Sequence, residues 1–366
     1  MFAYLIRRLL LIIPTLFGIM ALNFFIMQVA PGGPVEQLLA RLQGNAQSAT
    51  ANITGGGSEV MSNAGSAGNG PAGSYRGARG LDPAFIERIK KQYGFDKPIH
   101  VRFFLMLRSY ATFDFGKSFF RDTSVMDLVI EKMPVSISIG LWTTLITYLV
   151  SIPLGIAKAV RDGTRFDSWT TSVVTVGNAI PSFLFAILLI VLFAGGRYFQ
   201  WFPLRGLVSD DWASLSWPAR IGDYFWHLAL PLAAMLVGSF ATLTMLTKNS
   251  FLEQINQQYV MTARAKGLTE RRVLYGHIFR NAMLIVIGGF PAAFIGVLFG
   301  GAFLIETIFS LDGLGLLSYD ALIQRDYPVL FANLYIFSLI GLVMNIIGDF
   351  TYTLVDPRLD FESRAT

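Results

Sequence analysis

Long apolar stretches free of Lys and Arg alternate with charged segments along this chain. A hydrocarbon core about 30 Å thick needs roughly 20 helical residues at a rise of about 1.5 Å each, so a stretch of that length predicts a transmembrane helix. Six stretches qualify, at residues 9–30, 135–157, 169–194, 228–247, 282–305 and 329–354. The pattern predicts an all-α fold, a polytopic membrane bundle of six helices.

The first stretch also has the charge pattern of a secretory signal, since Arg7 and Arg8 precede it. It runs about 22 residues, however, whereas the apolar region of a signal peptide has about 7–15, and no clear small-x-small cleavage site follows. We interpret it as a retained span.

Composition narrows the class of protein further. The 366 residues are 53% hydrophobic and only 14% charged, which excludes an ordinary soluble protein. The absence of Cys excludes disulfides, thiolate metal sites and cysteine nucleophiles. A net charge of +5 indicates a nucleic-acid partner only if the 29 Lys and Arg residues are clustered on one surface.

The positions of the basic residues instead indicate a membrane topology. The two termini and the segments after the second and fourth stretches hold 13 of the 29, whereas the opposite short loops hold four. The other 12 lie in the segment 31–134, which is too long to count for orientation. We therefore expect both termini in the cytoplasm, residues 31–134 outside, and no nucleic-acid partner.

The external segment has two unlike halves, between a first region (1–30) and the transmembrane core (135–366). Residues 44–80 are rich in Gly, Ala, Ser and Asn, which predicts a flexible loop. Residues 81–134 predict a small helical cap: Asp82 and Pro83 can begin a helix that Gly94 ends, and a second helical pattern covers residues 100–110.

Catalytic motifs are sparse. The three histidines, His100, His227 and His277, lie in separate segments without metal-binding spacing. The GKS sequence at 116–118 lacks the earlier glycine of a phosphate-binding loop, which would fall at Ala111. We expect no catalytic residues, no metal site and no cofactor in this chain, so that it is not itself an enzyme.

A secondary carrier driven by an ion gradient is a rival class. Such carriers place ionisable groups near the membrane midplane. No charged side chain lies at the centre of any predicted span, because Glu306 is at the outer end of the fifth and Asp349 in the inner third of the sixth. The pattern disfavours this class.

The fifth stretch carries small residues every four positions, at Gly288, Ala292, Gly296 and Gly300. Such a face lets two backbones approach closely. Two interpretations are equally compatible with this spacing. The face packs inside the bundle, or it contacts a partner subunit across a pathway.

Residues 248–281, which we call the coupling loop, hold six basic residues. The pattern predicts one helix at 253–266, a break at Gly267, and a second helix that Thr269 caps. Small residues before the break would let another protein approach the backbone.

The coupling loop contains the sequences YVMTARAKGL at 259–268, RRV at 271–273 and HIFRNA at 277–282. They resemble the EAA loop of permeases from binding-protein-dependent ABC importers, in the dipeptide, oligopeptide and nickel subgroup. The resemblance covers nearly the whole chain, with YLIRR at 4–8, YGFDKP at 93–98, FDFG at 113–116, ETIFS at 306–310, GLG at 313–315, RDYP at 325–328 and DPR at 356–358.

Two departures indicate a branch of this family. The insert at 44–80 is longer than usual, and SLDG at 310–313 replaces a usual Trp-Pro pair. Together with APGGP at 30–34 and YRGARG at 75–80, they resemble the Yej-type permeases of peptide and microcin C importers.

This resemblance implies a type I importer permease of the bacterial inner membrane that pairs with a homologous permease around a peptide pathway. An extracytoplasmic substrate-binding protein would deliver the peptide, and two ATP-binding domains in one or two other chains would bring ATP and Mg. Nickel is the alternative cargo. The implied ATPase-coupling residues are Thr262, Ala263, Arg264, Ala265, Lys266, Gly267 and Leu268.

Overall fold

The computed structural model describes residues 2–29, 97–195, 198–298 and 302–355. Within these residues, the secondary-structure elements longer than one residue are all helices. In chain order they are α1 (Phe2–Val29), α2 (Ile99–Ala111), α3 (Val125–Val160), α4 (Arg165–Ala179), α5 (Ser182–Phe193), α6 (Trp217–Ile255), α7 (Gln258–Ala265), α8 (Glu270–Val273), α9 (Phe279–Gly288), α10 (Phe290–Gly296), α11 (Ala302–Ile308), α12 (Leu314–Gln324) and α13 (Tyr327–Val355). The all-α prediction is confirmed.

Five described helices are long and apolar enough to cross a membrane, and a bent pair gives up to six. The five are Ile6–Ile26, Val125–Val160, Trp217–Ile255, Glu270–Gly296 and Tyr327–Thr351. Each overlaps a predicted stretch. Trp217–Ile255 and Glu270–Gly296 also run well beyond their stretches, into segments expected to be loops.

The predicted third span is not one straight helix. Its two halves, α4 and α5, meet at 88°. Pro181 has no N–H to donate to the helix, and its ring disfavours helical geometry at the residue before it. Ile180 accordingly has an extended backbone, with φ −84° and ψ 117°.

In the external segment, the helix predicted at 100–110 is present as α2. The predicted loop at 44–80 and the helix that Asp82 begins lie outside the described residues.

The chain divides into two compact units. The first comprises Met1–Pro14, Val129–Tyr319 and Ile336–Thr366. One of its apolar clusters joins α3, α5, α6 and α11 through buried residues such as Ile139, Leu189, Leu228 and Ile305. Because lipid tails are as apolar as these side chains, close van der Waals packing stabilises the cluster within a membrane.

A glycine sets the close approach of α3 and α6 in this unit. A Cβ at Gly155 would lie 2.6 Å from the Cβ of Thr247 and 2.8 Å from the carbonyl oxygen of Thr244. Only glycine allows this contact without displacing the backbone.

The second unit comprises Thr15–Leu128 and Asp320–Tyr335. Its described part is packed largely through aromatic rings. The ring of Tyr110 meets those of Phe115 and Tyr335 edge-on, with centroids 4.9 and 5.4 Å apart. Edge-to-face pairs of this kind place the positive ring edge against the negative face of the neighbour.

Candidate functional site: the coupling loop

The helices of the coupling loop differ from those predicted. The prediction of one helix at 253–266 is wrong. In the structure, α6 continues to Ile255, the chain turns at Asn256 and Gln257, and α7 then begins. The second predicted helix is not a separate element, since Glu270–Gly296 forms one apolar helix that includes a π-helical turn, Leu274–Ile278. The loop is thus a direct continuation of two spans.

The predicted break at Gly267 is confirmed, and its hydrogen bonds explain it. Gly267 has φ +80°, a left-handed conformation that glycine adopts without a steric penalty. The N–H of Gly267 donates to the carbonyl of Arg264 at 2.9 Å, and that of Leu268 donates to the carbonyl of Ala263 at 3.4 Å. These two bonds are those of a Schellman motif, which fixes the direction of the chain after α7.

The predicted coupling residues divide by exposure. Thr262, Arg264, Ala265, Lys266 and Gly267 are exposed, and Leu268 is half-buried. Ala263 differs from the others because it is only 6% exposed and packs in the core beneath α7. The outer surface of the turn is therefore formed by its exposed neighbours, and Ala263 supports that surface from below.

An ion pair closes the turn on its outer side. Arg264 donates from Nε and Nη2 to the two carboxylate oxygens of Glu270, at 2.9 and 3.1 Å. Thr269 occupies the predicted cap position of α8 with extended backbone, but its side chain makes no capping hydrogen bond. The exposed pair contributes at most about 1 kcal/mol, so the Schellman turn and the core beneath it determine the shape of the loop.

The core beneath the loop connects it to the spans. Val260 of α7 and Val273 of α8 are fully buried in a cluster with Ile156 of α3, Phe251 of α6 and Ala282 of α9. Because interiors are close-packed, a displacement of α7 must displace these helices as well.

Sequence reasoning missed a buried charge network next to this core. Hydropathy places Lys158 in the loop after the second stretch, but it lies in the last turn of α3 and is fully buried, with its Nζ 2.9 Å from Oδ1 of Asp167. Lys158 also donates to the hydroxyls of Thr170 and Thr171, at 2.9 and 2.6 Å.

Lys248 completes this network. The predicted coupling loop begins at Lys248, but the structure has Lys248 as a buried residue of α6. Its Nζ lies 2.7 Å from Oδ2 of Asp167 and 2.7 Å from Oδ1 of Asp162. The network therefore joins α3, α4 and α6 near the coupling loop. Lys and Asp at the ends of adjacent spans were the available signal, but the sequence does not show which of them meet.

The small-residue face of the fifth span is partly open. Ala292 and Gly296 are exposed on α10, and nothing lies within 4 Å of the position of a Cβ at Gly296. Gly288 ends α9 and is half-buried, and Gly300 lies outside the described residues. The described part of the chain thus leaves this face uncovered on α10.

The structure also explains the paired motifs ETIFS and GLG. Glu306 is fully buried and accepts hydrogen bonds from the hydroxyl of Ser136 at 2.6 Å and from the N–H groups of Gly315 and Leu316 at 2.7 and 3.1 Å. A carboxylate at the beginning of α12 satisfies N–H groups that have no partner within the helix.

In the second unit, the motif RDYP supplies a buried carboxylate that contacts the segment following FDFG. Asp326 accepts hydrogen bonds from the hydroxyl of Ser118 at 2.5 Å and from the N–H of Phe119 at 3.2 Å. Burial raises the pKa of Asp326 above its ordinary value, because it disfavours the charged form more than these bonds favour it.

The family described as "Binding-protein-dependent transport system inner membrane component" matches residues 151–361. The chain is 59% identical to the peptidoglycan transport system permease protein YejB of Agrobacterium fabrum, over 99% of each chain. It is 58% identical to the inner membrane ABC transporter permease protein YejB of Escherichia coli O157:H7, over 99% of this chain and 100% of that one.

A more distant relative also matches nearly the whole chain. The oligopeptide transport system permease protein AppB of Bacillus subtilis is 33% identical over 99% of this chain and 100% of its own. A solved structure of the MetNI methionine ABC transporter in an inward-facing conformation matches 63% of this chain and 97% of its own, with 15% identity and a TM-score of 0.49. This chain belongs to the family of binding-protein-dependent transport system inner membrane components and is a permease subunit of an ABC importer.

Proposed function

We propose that this permease imports peptides and that its coupling loop receives the ATP-binding domains of partner chains. The cargo is supported by the names of the relatives, which include oligopeptide and peptidoglycan transport systems. Peptidoglycan carries short peptides, so these names have peptide chemistry in common. Microcin C-like peptides belong to the same chemical class.

The exposed turn around Gly267 is the observation that carries the coupling mechanism. Its backbone is fixed by two hydrogen bonds, and its underside is packed against α3, α6 and α9. A partner that pushes on this turn when it closes on ATP would move several spans together, as a rigid-body change of access. Arg264, Ala265 and Lys266 offer that partner small and positively charged contacts.

The other partners follow the same proposal. A homologous permease would cover the open face of α10 at Ala292 and Gly296, where close backbone approach is possible. A substrate-binding protein would dock on the extracytoplasmic side. Both termini and the coupling loop would then lie in the cytoplasm of a multi-pass protein of the inner membrane.

The coupling mechanism can be tested at Ala265, which is exposed in the last turn of α7. In proteoliposomes holding the complete importer, Ala265→Trp should reduce both ATP-dependent peptide uptake and peptide-stimulated ATP hydrolysis at least tenfold. The matched control is Ala219→Trp, which adds the same side chain at an exposed position in the first turn of α6. Normal uptake by the Ala265→Trp complex would contradict the docking proposal.

Cargo and energy source are tested with the same vesicles. Uptake of peptides from a tryptic casein digest is measured by mass spectrometry, beside uptake of a peptidoglycan digest and of nickel. We expect peptide uptake that requires ATP and persists with an uncoupler. Uptake of nickel alone would overturn the peptide cargo, and loss of uptake with the uncoupler would indicate an ion-driven carrier.

A further inference from the structure

A cavity of about 290 Å³ lies among α3, α6 and the junction of α9 and α10, within the first unit. Five of its lining residues carry hydroxyl groups: Thr144, Thr147, Tyr148, Ser239 and Thr242. The others are apolar, and none of the described residues that line the cavity is charged. At about 30 Å³ for each water molecule, the volume corresponds to roughly ten waters, enough for one large amino-acid residue.

Three of these hydroxyls already give their proton to a backbone carbonyl. Thr144 donates to Gly140 at 2.8 Å, Ser239 to Met235 at 2.8 Å, and Tyr148 to Val286 at 3.3 Å. A hydroxyl that donates in this way keeps lone pairs that can accept a hydrogen bond. The lining therefore suits a ligand that brings N–H donors.

Thr147 differs from these three hydroxyls. Its side chain is only 6% exposed, and its Oγ1 is buried with no hydrogen-bond partner among the described residues. A buried unpaired hydroxyl costs about 1–3 kcal/mol. Rotation about χ1 exchanges Oγ1 and the methyl group, so an occupant of the cavity can relieve this cost.

The part of the fifth span around Pro291 borders the same cavity. Gly289 lines it and joins α9 to α10, and Ala293 lines it from α10. Pro291 has no N–H to donate to the carbonyl of Ile287. The helix therefore lacks one backbone hydrogen bond beside the cavity, although Gly289 keeps a helical backbone with φ −74° and ψ −12°.

We propose that this cavity receives one uncharged residue of the transported peptide, whose amide N–H groups donate to the hydroxyl acceptors while its side chain meets the apolar lining. The proposal rests on the proposed function, peptide import. A charged residue is disfavoured, because no opposite charge compensates for its loss of water. Few and neutral hydrogen bonds also suit a site from which cargo must leave again.

The absence of cysteine in this chain allows a direct test, since Ala293→Cys introduces its only thiol. Ala293 is exposed and lines the cavity. In the complete importer, a tryptic casein digest should slow the modification of this thiol by N-ethylmaleimide at least tenfold. Thr175→Cys, on an exposed part of α4 outside the cavity, is the control and should show no protection.

A second variant separates binding from folding. Thr147→Val keeps the shape of the side chain and removes only the unpartnered hydroxyl, so the fold should be preserved. We expect the KM for uptake of uncharged peptides to rise about fivefold with kcat unchanged, and no change for Thr175→Val. An unchanged KM would overturn the role of Thr147.

The remaining outcomes are distinct. Equal labelling of Ala293→Cys with and without peptides, in an importer that transports them, overturns the inference and leaves the proposed function intact. Labelling of the isolated permease but not of the assembled importer shows that a side chain of the partner permease fills the cavity, which also overturns it. If the parent importer takes up no peptide of the digest, the proposed function and the inference both fail.

Discussion

Replacing Asp167 by Asn removes the ion-pair partner that Lys158 has among the described residues, while the shape of the side chain is kept. Lys158 is fully buried and lies 2.9 Å from Asp167, and Lys248 lies 2.7 Å from it. Removal of one partner from a buried ion pair costs about 3–5 kcal/mol, because the remaining charge has lost its water. Lys158 keeps two threonine hydroxyls and Lys248 keeps Asp162, so we expect a cost near the lower end of that range.

Thermal unfolding of the purified importer, followed by tryptophan fluorescence, measures this cost. The Asp167→Asn variant should unfold on the order of 5 °C below the parent protein. Asp162→Asn is the matched control: the same chemical change is made at a carboxylate whose side chain is 51% exposed, and we expect a loss below about 1 kcal/mol.

A double variant tests the cause of the effect. Adding Lys158→Met to Asp167→Asn removes the orphaned charge, so it should restore part of the lost stability. Equal shifts for Asp167→Asn and Asp162→Asn, or no recovery in the double variant, would refute the role of the buried network.

Three further predictions concern single positions. Gly267→Ala should destabilise the turn by about 1–2 kcal/mol because of its left-handed backbone, and Gly267→Asn by less; equal melting temperatures for both variants and the parent would contradict this. Gly313→Ala should impair folding, because its Cβ collides with the carboxylate of Glu306, whereas Gly222→Ala, which has open space, should leave the yield of folded permease unchanged. The folded parent holds the proton of Asp326 more tightly than the unfolded chain does, because burial raises the pKa of Asp326. The parent should therefore lose stability as pH rises from the ordinary carboxyl pKa to this raised pKa, whereas Asp326→Asn should not. Parallel pH–stability curves for the two proteins would refute this.

The positions of the spans were predictable because each depends on local composition. Twenty apolar residues in a row have one stable solution in a bilayer, a helix that satisfies its own backbone. The turn at Gly267 was predictable for a similar reason, since a glycine after a helical pattern favours the left-handed cap that the structure has.

The ends of the helices and the bend of the third span were harder to predict from the sequence. A predicted apolar stretch ends at the first charged residue, so hydropathy places Lys158 and Lys248 in loops, although both are helical and buried. Proline occurs in straight, kinked and broken membrane helices alike, because neighbouring groups can satisfy the freed backbone. Pro181 alone therefore did not predict a bend of 88°.

The sequence by itself determined the class of protein, the membrane helices and the family, because these depend on composition and on residue patterns that are local in the chain. Tertiary structure decided which charges meet, that Ala263 lies beneath the coupling surface, and that hydroxyls from α3 and α6 line one cavity. These features depend on contacts between residues far apart in sequence. Such contacts follow from how helices pack, which no single segment specifies.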